Sequence, residues 1–203
     1  MAPPKMVYQL RISLFDTVPK IWRRILIPTS ATFWELHSAI QDVFNWNHSH
    51  LHHFWYDDKI LKKSIWFGIP TDEDDMYNVE ILPSWKHKMS KYLNCEEPNL
   101  KYVYDLGDNW MHLIELENIL PAEKGMAYPV CIGGKRNAPP DDCGGTHGYD
   151  EMLEVLSDPS DEEYEATKEW IDSVTGGTFD PEHFNPKEVK FMNPKQRYKE
   201  SFE

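Results

Sequence analysis

The chain has 203 residues and a formal net charge of -13, with 21 Lys and Arg against 34 Asp and Glu. A surface of that sign repels nucleic-acid phosphates and anionic lipid headgroups, so neither a nucleic-acid nor a membrane partner is expected. Eight Trp, ten Tyr and nine Phe supply the large apolar side chains of a packed core, which excludes a disordered chain and fits one domain over 1–203, its short N-terminal end and its 186–203 tail being the candidates for mobility.

In chain order, Met6, Tyr8, Leu10, Ile12 and Leu14 alternate with Gln9, Arg11 and Ser13, the period of a half-buried strand. After a polar bend over 16–19, Ile21, Arg23, Ile25 and Ile27 alternate with Trp22, Arg24 and Leu26 up to Pro28, a second strand that closes a hairpin. Thr32 followed by Glu35 is a capping-box pattern. Phe33, Leu36, His37, Ile40, Val43 and Phe44 then recur at helical spacing, which predicts a helix over 32–45. The aromatic run 51–56 and the stretch 60–69, bent at Gly68, read as two further strands. Asp72 to Asp75 read as a surface loop, and 84–93 as a short helix with Trp85, Met89 and Tyr92 or Leu93 inward.

The chain is organised around Tyr102 to His112, where two alternating runs meet at Gly107-Asp108-Asn109, the pattern of a hairpin with a polar tip. A period of two puts Trp110, His112, Ile114 and Leu116 on one face. Between Pro121 and Gly148 six Gly and four Pro predict little regular structure. Two amphipathic helices follow over 149–156 and 162–174, with Pro159 between them, and then a last short helix. The sum is an α+β fold: a mixed, largely antiparallel sheet, a β-grasp-like strand-strand-helix-strand start by analogy of pattern, and C-terminal helices.

Three cysteines, Cys95, Cys131 and Cys143, make an odd set. Lys5, Arg11, Lys20, Arg23 and Arg24 interrupt the stretch where a secretory signal would be apolar, and no apolar run approaches about 18 residues. Free thiols in a cytoplasmic setting follow.

Several polar clusters are candidates for chemistry. Cys143 and His147 have the spacing of a zinc half-site, with Cys131 as a third ligand and Asp142 or His112 as a fourth, against the simpler reading of ordinary thiols. His48, His50, His52 and His53 crowd one strand start, where His50 and His52, paired on one side, could bind a divalent metal or an anion, or the rings could simply hydrogen-bond loop carbonyls and pack against Trp46 and Trp55. Asp105, Asp108 and His112 could form a base, a partner carboxylate and an orienting imidazole, or the Asp residues could only cap the turn. Trp22, Arg23 and Arg24 place guanidiniums beside an indole, able to hold a carboxylate or phosphate, or to pair internally with Asp105 or Asp108. The chain has no G-x-S-x-G elbow, P-loop or G-x-G-x-x-G.

In order, Val18-Pro19-Lys20-Ile21-Trp22-Arg23-Arg24, Leu36-His37-Ser38-Ala39-Ile40-Gln41 leading to Trp46, and His50-Leu51-His52-His53-Phe54 form a recognisable series. Tyr104-Asp105-Leu106-Gly107-Asp108-Asn109-Trp110-Met111-His112, Pro139-Pro140-Asp141-Asp142-Cys143-Gly144-Gly145 and Gly148-Tyr149 continue it. The set resembles the family named after the third open reading frame of an Ri plasmid, over most of 6–190. The resemblance implies no established reaction; some members are labelled resolvase-like, and some are fused to DNA-binding or zinc-binding modules. Ala138 departs from the pattern, standing where many relatives carry a second cysteine.

These readings converge on a non-catalytic binding or adaptor module for a protein or a small anionic ligand. Its pocket is expected to use Trp22, Arg24, Trp46, His50, His52, Asp108, Trp110, His112, Gly144 and Gly145. No cofactor is expected; zinc on Cys131, Cys143 and His147 is the alternative, within a metal- or thiol-dependent enzyme. A DNA-associated accessory of a mobile element is the other rival.

Overall fold

A computed structural model describes residues 5–58, 62–71, 79–93 and 99–202, so the expected loop over 72–75 and Cys95 lie outside the described residues. The strands are β1 (Met6–Leu14), β2 (Trp22–Pro28), β3 (His52–Asp58), β4 (Lys63–Gly68), β5 (Ile81–Pro83), β6 (Asn99–Tyr104), β7 (Trp110–Pro121) and β8 (Val130–Lys135). They form one sheet in the order β5-β4-β3-β6-β7-β1-β2-β8. Only β4 and β5 run parallel. The helices are α1 (Phe33–Phe44), α2 (Gly145–Ser157), α3 (Tyr164–Thr175) and α4 (Pro194–Phe202). This is the mixed, mostly antiparallel α+β architecture that the sequence pattern predicts. No helix among the described residues is long and apolar enough to cross a membrane.

The strand order does not confirm the β-grasp-like start. β6 and β7 stand between β1 and β3, so the strand that follows α1 joins a second group of strands instead of the first hairpin. Two local expectations also change. The segment 84–93 holds only a 3-10 turn at Met89–Lys91, and the glycine-rich stretch 121–148 contains a whole strand, β8, together with the start of α2.

The core lies between α1 and one face of the sheet. Tyr8, Leu10, Ile12 and Leu14 of β1, Ile25 and Ile27 of β2, and Trp110 and Ile114 of β7 pack with Phe33, Leu36, Ile40 and Phe44 of α1. α1 begins at the expected capping box, with the Thr32 hydroxyl accepting from the Glu35 N–H and the Glu35 carboxylate accepting from the Thr32 N–H. It ends at Asn45 in the left-handed conformation (φ 55°), which turns the chain sharply and lets the Trp46 N–H donate to the Gln41 carbonyl (2.9 Å). Trp46 is thereby carried back over the core.

Candidate functional site

The alternation of β2 decides which arginine points inward. Ile21, Arg23, Ile25 and Ile27 face the core, and Trp22 and Arg24 face the other side of the sheet. There Arg24 pairs with Glu117 through two bonds of 2.6 Å, and both Arg11 and Arg24 lie over the Trp22 ring at 5.0 Å. The expected pairing with Asp105 or Asp108 does not occur, and Trp22 and Arg24 are not part of a pocket with Trp46 and His50.

Arg23 is only 1% exposed. Its Nε donates to the Val43 carbonyl (2.8 Å), and its Nη1 donates to the carbonyls of Trp22 (2.9 Å) and Lys135 (3.1 Å). Its guanidinium carbon lies 3.8 Å from the Phe184 ring centroid and 4.9 Å from that of Phe44. Glycine makes this stack possible: Gly134 pairs with Arg23, and a Cβ there would sit 2.3 Å from Phe184 Cε1. Among the described residues Arg23 has no carboxylate partner and its Nη2 no hydrogen bond, and the residue lines a cavity of about 560 Å³. Burial lowers the guanidinium's pKa to about 9, so at neutral pH a charged group is held largely out of water.

The other cavity walls include Trp46, Asn137, Lys190 and Arg197. The acids beside them are already engaged: Asp42 with Arg197 (2.6 Å) and Glu188 with His183 (2.9 Å).

On the far side of Trp46 three distant segments meet. The Trp46 ring stacks on Tyr104 with centroids 5.0 Å apart, and its Nε1 donates to the Pro139 carbonyl (2.9 Å). The Asn47 N–H donates to Asp141 Oδ2 (2.6 Å), and the Gly144 N–H to Asp108 Oδ2 (3.1 Å). Gly145, at φ +71°, lies so close to the hairpin tip that a Cβ would stand 2.5 Å from the Asp108 carbonyl oxygen. Within this frame His50 Nε2 is 2.9 Å from Asp142 Oδ1 and 3.5 Å from Asp105 Oδ2. Of the ten expected pocket residues the structure gathers Trp46, His50, Asp108, Gly144 and Gly145 here. Asp105, Asp141 and Asp142 complete the cluster.

His52, Trp110 and His112 are buried beneath it. His52 stacks on His37 at 3.5 Å, and His112 Nδ1 donates to the Trp110 carbonyl (2.9 Å) instead of facing a carboxylate. The Asp105–Asp108–His112 arrangement is therefore absent, because an inward-facing strand position places the imidazole in the core while the turn directs Asp105 to His50 and Asp108 to the Gly144 N–H.

The expected zinc set is also dispersed. The Cys131 thiol donates to the Gly133 carbonyl (3.4 Å), and His147 is 86% exposed beside Glu151. Among the described residues the one group of three or more metal-ligating side chains within reach of one another is His50, Asp105 and Asp142. Burial, helped by Asp108, pushes the Cys143 thiol up to about 12, so it is protonated at neutral pH and is no thiolate nucleophile.

Residues 6–188 match the family described as plasmid pRiA4b ORF-3-like protein. The chain belongs to that family. One relative, the uncharacterized protein y4hQ of Sinorhizobium fredii, is 32% identical over 172 residues, covering 82% of this chain and 81% of its own length. The crystal structure of a protein of unknown function, MM3350 from Methanosarcina mazei Go1, is 42% identical with a TM-score of 0.83. That likeness covers 93% of this chain and 100% of the other.

Proposed function

We propose that this ORF-3-like protein is a non-catalytic binding module for a small anionic ligand, a carboxylate or a phosphate, taken up in the cavity beside Arg23. The observation that carries the reading is a buried guanidinium that lines the cavity and has, among the described residues, one nitrogen without a hydrogen bond and no carboxylate partner. Burying an unpaired charge costs several kcal/mol, and an anion on Nη2 offsets that cost through a charge-assisted hydrogen bond. Phe44 and Phe184 hold the guanidinium plane between them, so it needs little reordering to bind. Lys190 in the lining suits the remaining oxygens of such a ligand, and the Asn137 amide, which gives one hydrogen to the Asp180 carbonyl (3.2 Å), has a second to offer.

Calorimetric titration of the full chain with inorganic phosphate and with malonate tests this. Saturable one-to-one binding to at least one of them is expected. Arg23→Lys weakens it by about tenfold or more, the loss of one charge-assisted bond. Asn137→Ala, a milder change in the same wall, weakens it without touching the buried arginine, whereas Arg24→Ala on the opposite sheet face leaves it unchanged. No saturable binding of either anion, or equal losses in Arg23→Lys and Arg24→Ala, would overturn the proposal.

A further inference from the structure

Outside the Arg23 cavity, the strongest unassigned feature is the group formed by His50, Asp105 and Asp142. One ligand atom from each lies within 4.8 Å of the others. Nitrogen and oxygen ligands about 2.0–2.2 Å from a common ion stand about 3–4 Å from one another. The distances of 2.9 Å and 3.5 Å from His50 Nε2 to the two carboxylates match that spacing.

Asp105 supplies the observation that separates this group from a chance surface cluster. It is 7% exposed. Its Oδ1 accepts from the N–H groups of Gly107 (2.8 Å) and Asp108 (3.3 Å), which fixes the carboxylate plane. Its Oδ2 faces His50 Nε2 at 3.5 Å. A buried carboxylate held rigidly is costly unless positive charge or enough donors meet it. The neighbouring Asp141 supplies the unsatisfied atom: its Oδ2 accepts from Asn47, and its Oδ1 is shut from solvent without a partner among the described residues. Three carboxylates thus surround one imidazole, an excess of negative charge that a single neutral or singly protonated ring does not balance.

We infer that His50, Asp105 and Asp142 form a binding site for a divalent transition-metal cation of the zinc type, with Asp141 beside it adding negative charge. One imidazole nitrogen with two carboxylates suits such an ion better than Mg²⁺ or Ca²⁺, which prefer all-oxygen ligands. Three protein ligands leave coordination positions for water. The half-exposed position of His50 and the exposed Asp142 keep the site open to solvent. This is a different metal centre from the cysteine set that the sequence suggests. It stands independently of the anion cavity.

The test is calorimetry of the metal-stripped full chain with Zn²⁺, with Co²⁺ as a spectroscopic probe of nitrogen ligation. One equivalent is expected to bind. His50→Gln and Asp105→Asn each weaken binding at least tenfold, and Asp105→Asn keeps the Oδ1 acceptor that holds the turn, so the fold survives it. Cys143→Ser and His147→Gln leave binding unchanged. Unchanged affinity in both His50→Gln and Asp105→Asn, loss on Cys143→Ser, or equally tight binding of Mg²⁺ would each overturn the assignment.

Discussion

Lowering the pH from 8 to 5 should cost this fold more stability than its carboxylates alone explain. His37, His52 and His112 are fully shut off from solvent. Burial, together with the neighbouring imidazoles, holds His37 and His52 well below the ordinary value, and burial pushes His112 down to about 3. The hydrogen bonds agree with neutral rings. The Tyr102 hydroxyl accepts from the Gln41 amide and so donates to His37 Nδ1, leaving His37 Nε2–H to donate to His48 Nδ1. His48 Nε2–H then donates to Ser201 Oγ, whose own proton goes to the Arg197 carbonyl. A group with a folded pKa below its unfolded one takes up its proton only on unfolding. Its contribution to stability is therefore whole above about pH 6.5 and declines as the pH falls below that value. At pH 5 each imidazole costs RT ln(1 + 10^1.5), about 2 kcal/mol, and the three together about 6 kcal/mol, against a typical total stability of about 5–15 kcal/mol. Asp42 and Asp141, whose carboxyls burial raises, work the other way, while His48, which burial lowers to about 4, adds to the loss. Urea unfolding followed by circular dichroism at pH 8, 6.5, 5.5 and 5 measures the loss, and His112→Phe should remove about a third of it. A loss below about 2 kcal/mol would refute the reasoning, because it would mean that at least two of the rings already accept a proton in the folded state.

Two further variants probe how the pieces are held. Arg197 and Asp42 are both about 5% exposed at their side chains, so Arg197→Met should cost about 3–5 kcal/mol in urea unfolding by stranding the acid; adding Asp42→Asn should recover much of it. Gly145→Ala meets both a left-handed φ of +71° and the Asp108 carbonyl at 2.5 Å, so it should lose about 1–3 kcal/mol in the same assay, while Gly125→Ala, left-handed but with open space around it, should lose less.

Local signals carried most of the fold. The capping box and helical spacing located α1, and strict alternation located β1, β2 and the β6–β7 hairpin, whose register pairs Tyr104 with Trp110 and Tyr102 with His112. β8 escaped because Val130 to Lys135 contains Gly133 and Gly134 and follows Pro129, a loop composition by propensity. It becomes a strand by tertiary pairing with β2, and Gly134 is needed there to admit Phe184. Arg23 was legible in principle: the same alternation that buries Ile21 and Ile25 buries it, yet a guanidinium is so seldom placed in a core that Arg24 looked the better ligand. His50 and Asp142, 92 positions apart, have no local signal joining them. Only the path of the chain past Trp46 brings them together.

The overall charge and the Arg23 cavity act on different kinds of anion. A polyanion lays its charges along the surface and meets the net -13 at every step. A small carboxylate or phosphate crosses that field once, and at physiological salt the field decays over about 8 Å. Inside the cavity it meets a desolvated guanidinium at hydrogen-bond range, where the attraction is several times that in water. The acidic composition therefore weighs against nucleic acid without weighing against the proposed ligand. The carboxylate group around His50 has the opposite sign and stands across the same indole: the Trp46 ring lines the cavity, and its Nε1 holds the Pro139 carbonyl in the segment that carries Asp141 and Asp142. One rigid aromatic wall thus separates a place that favours anions from a place that favours cations.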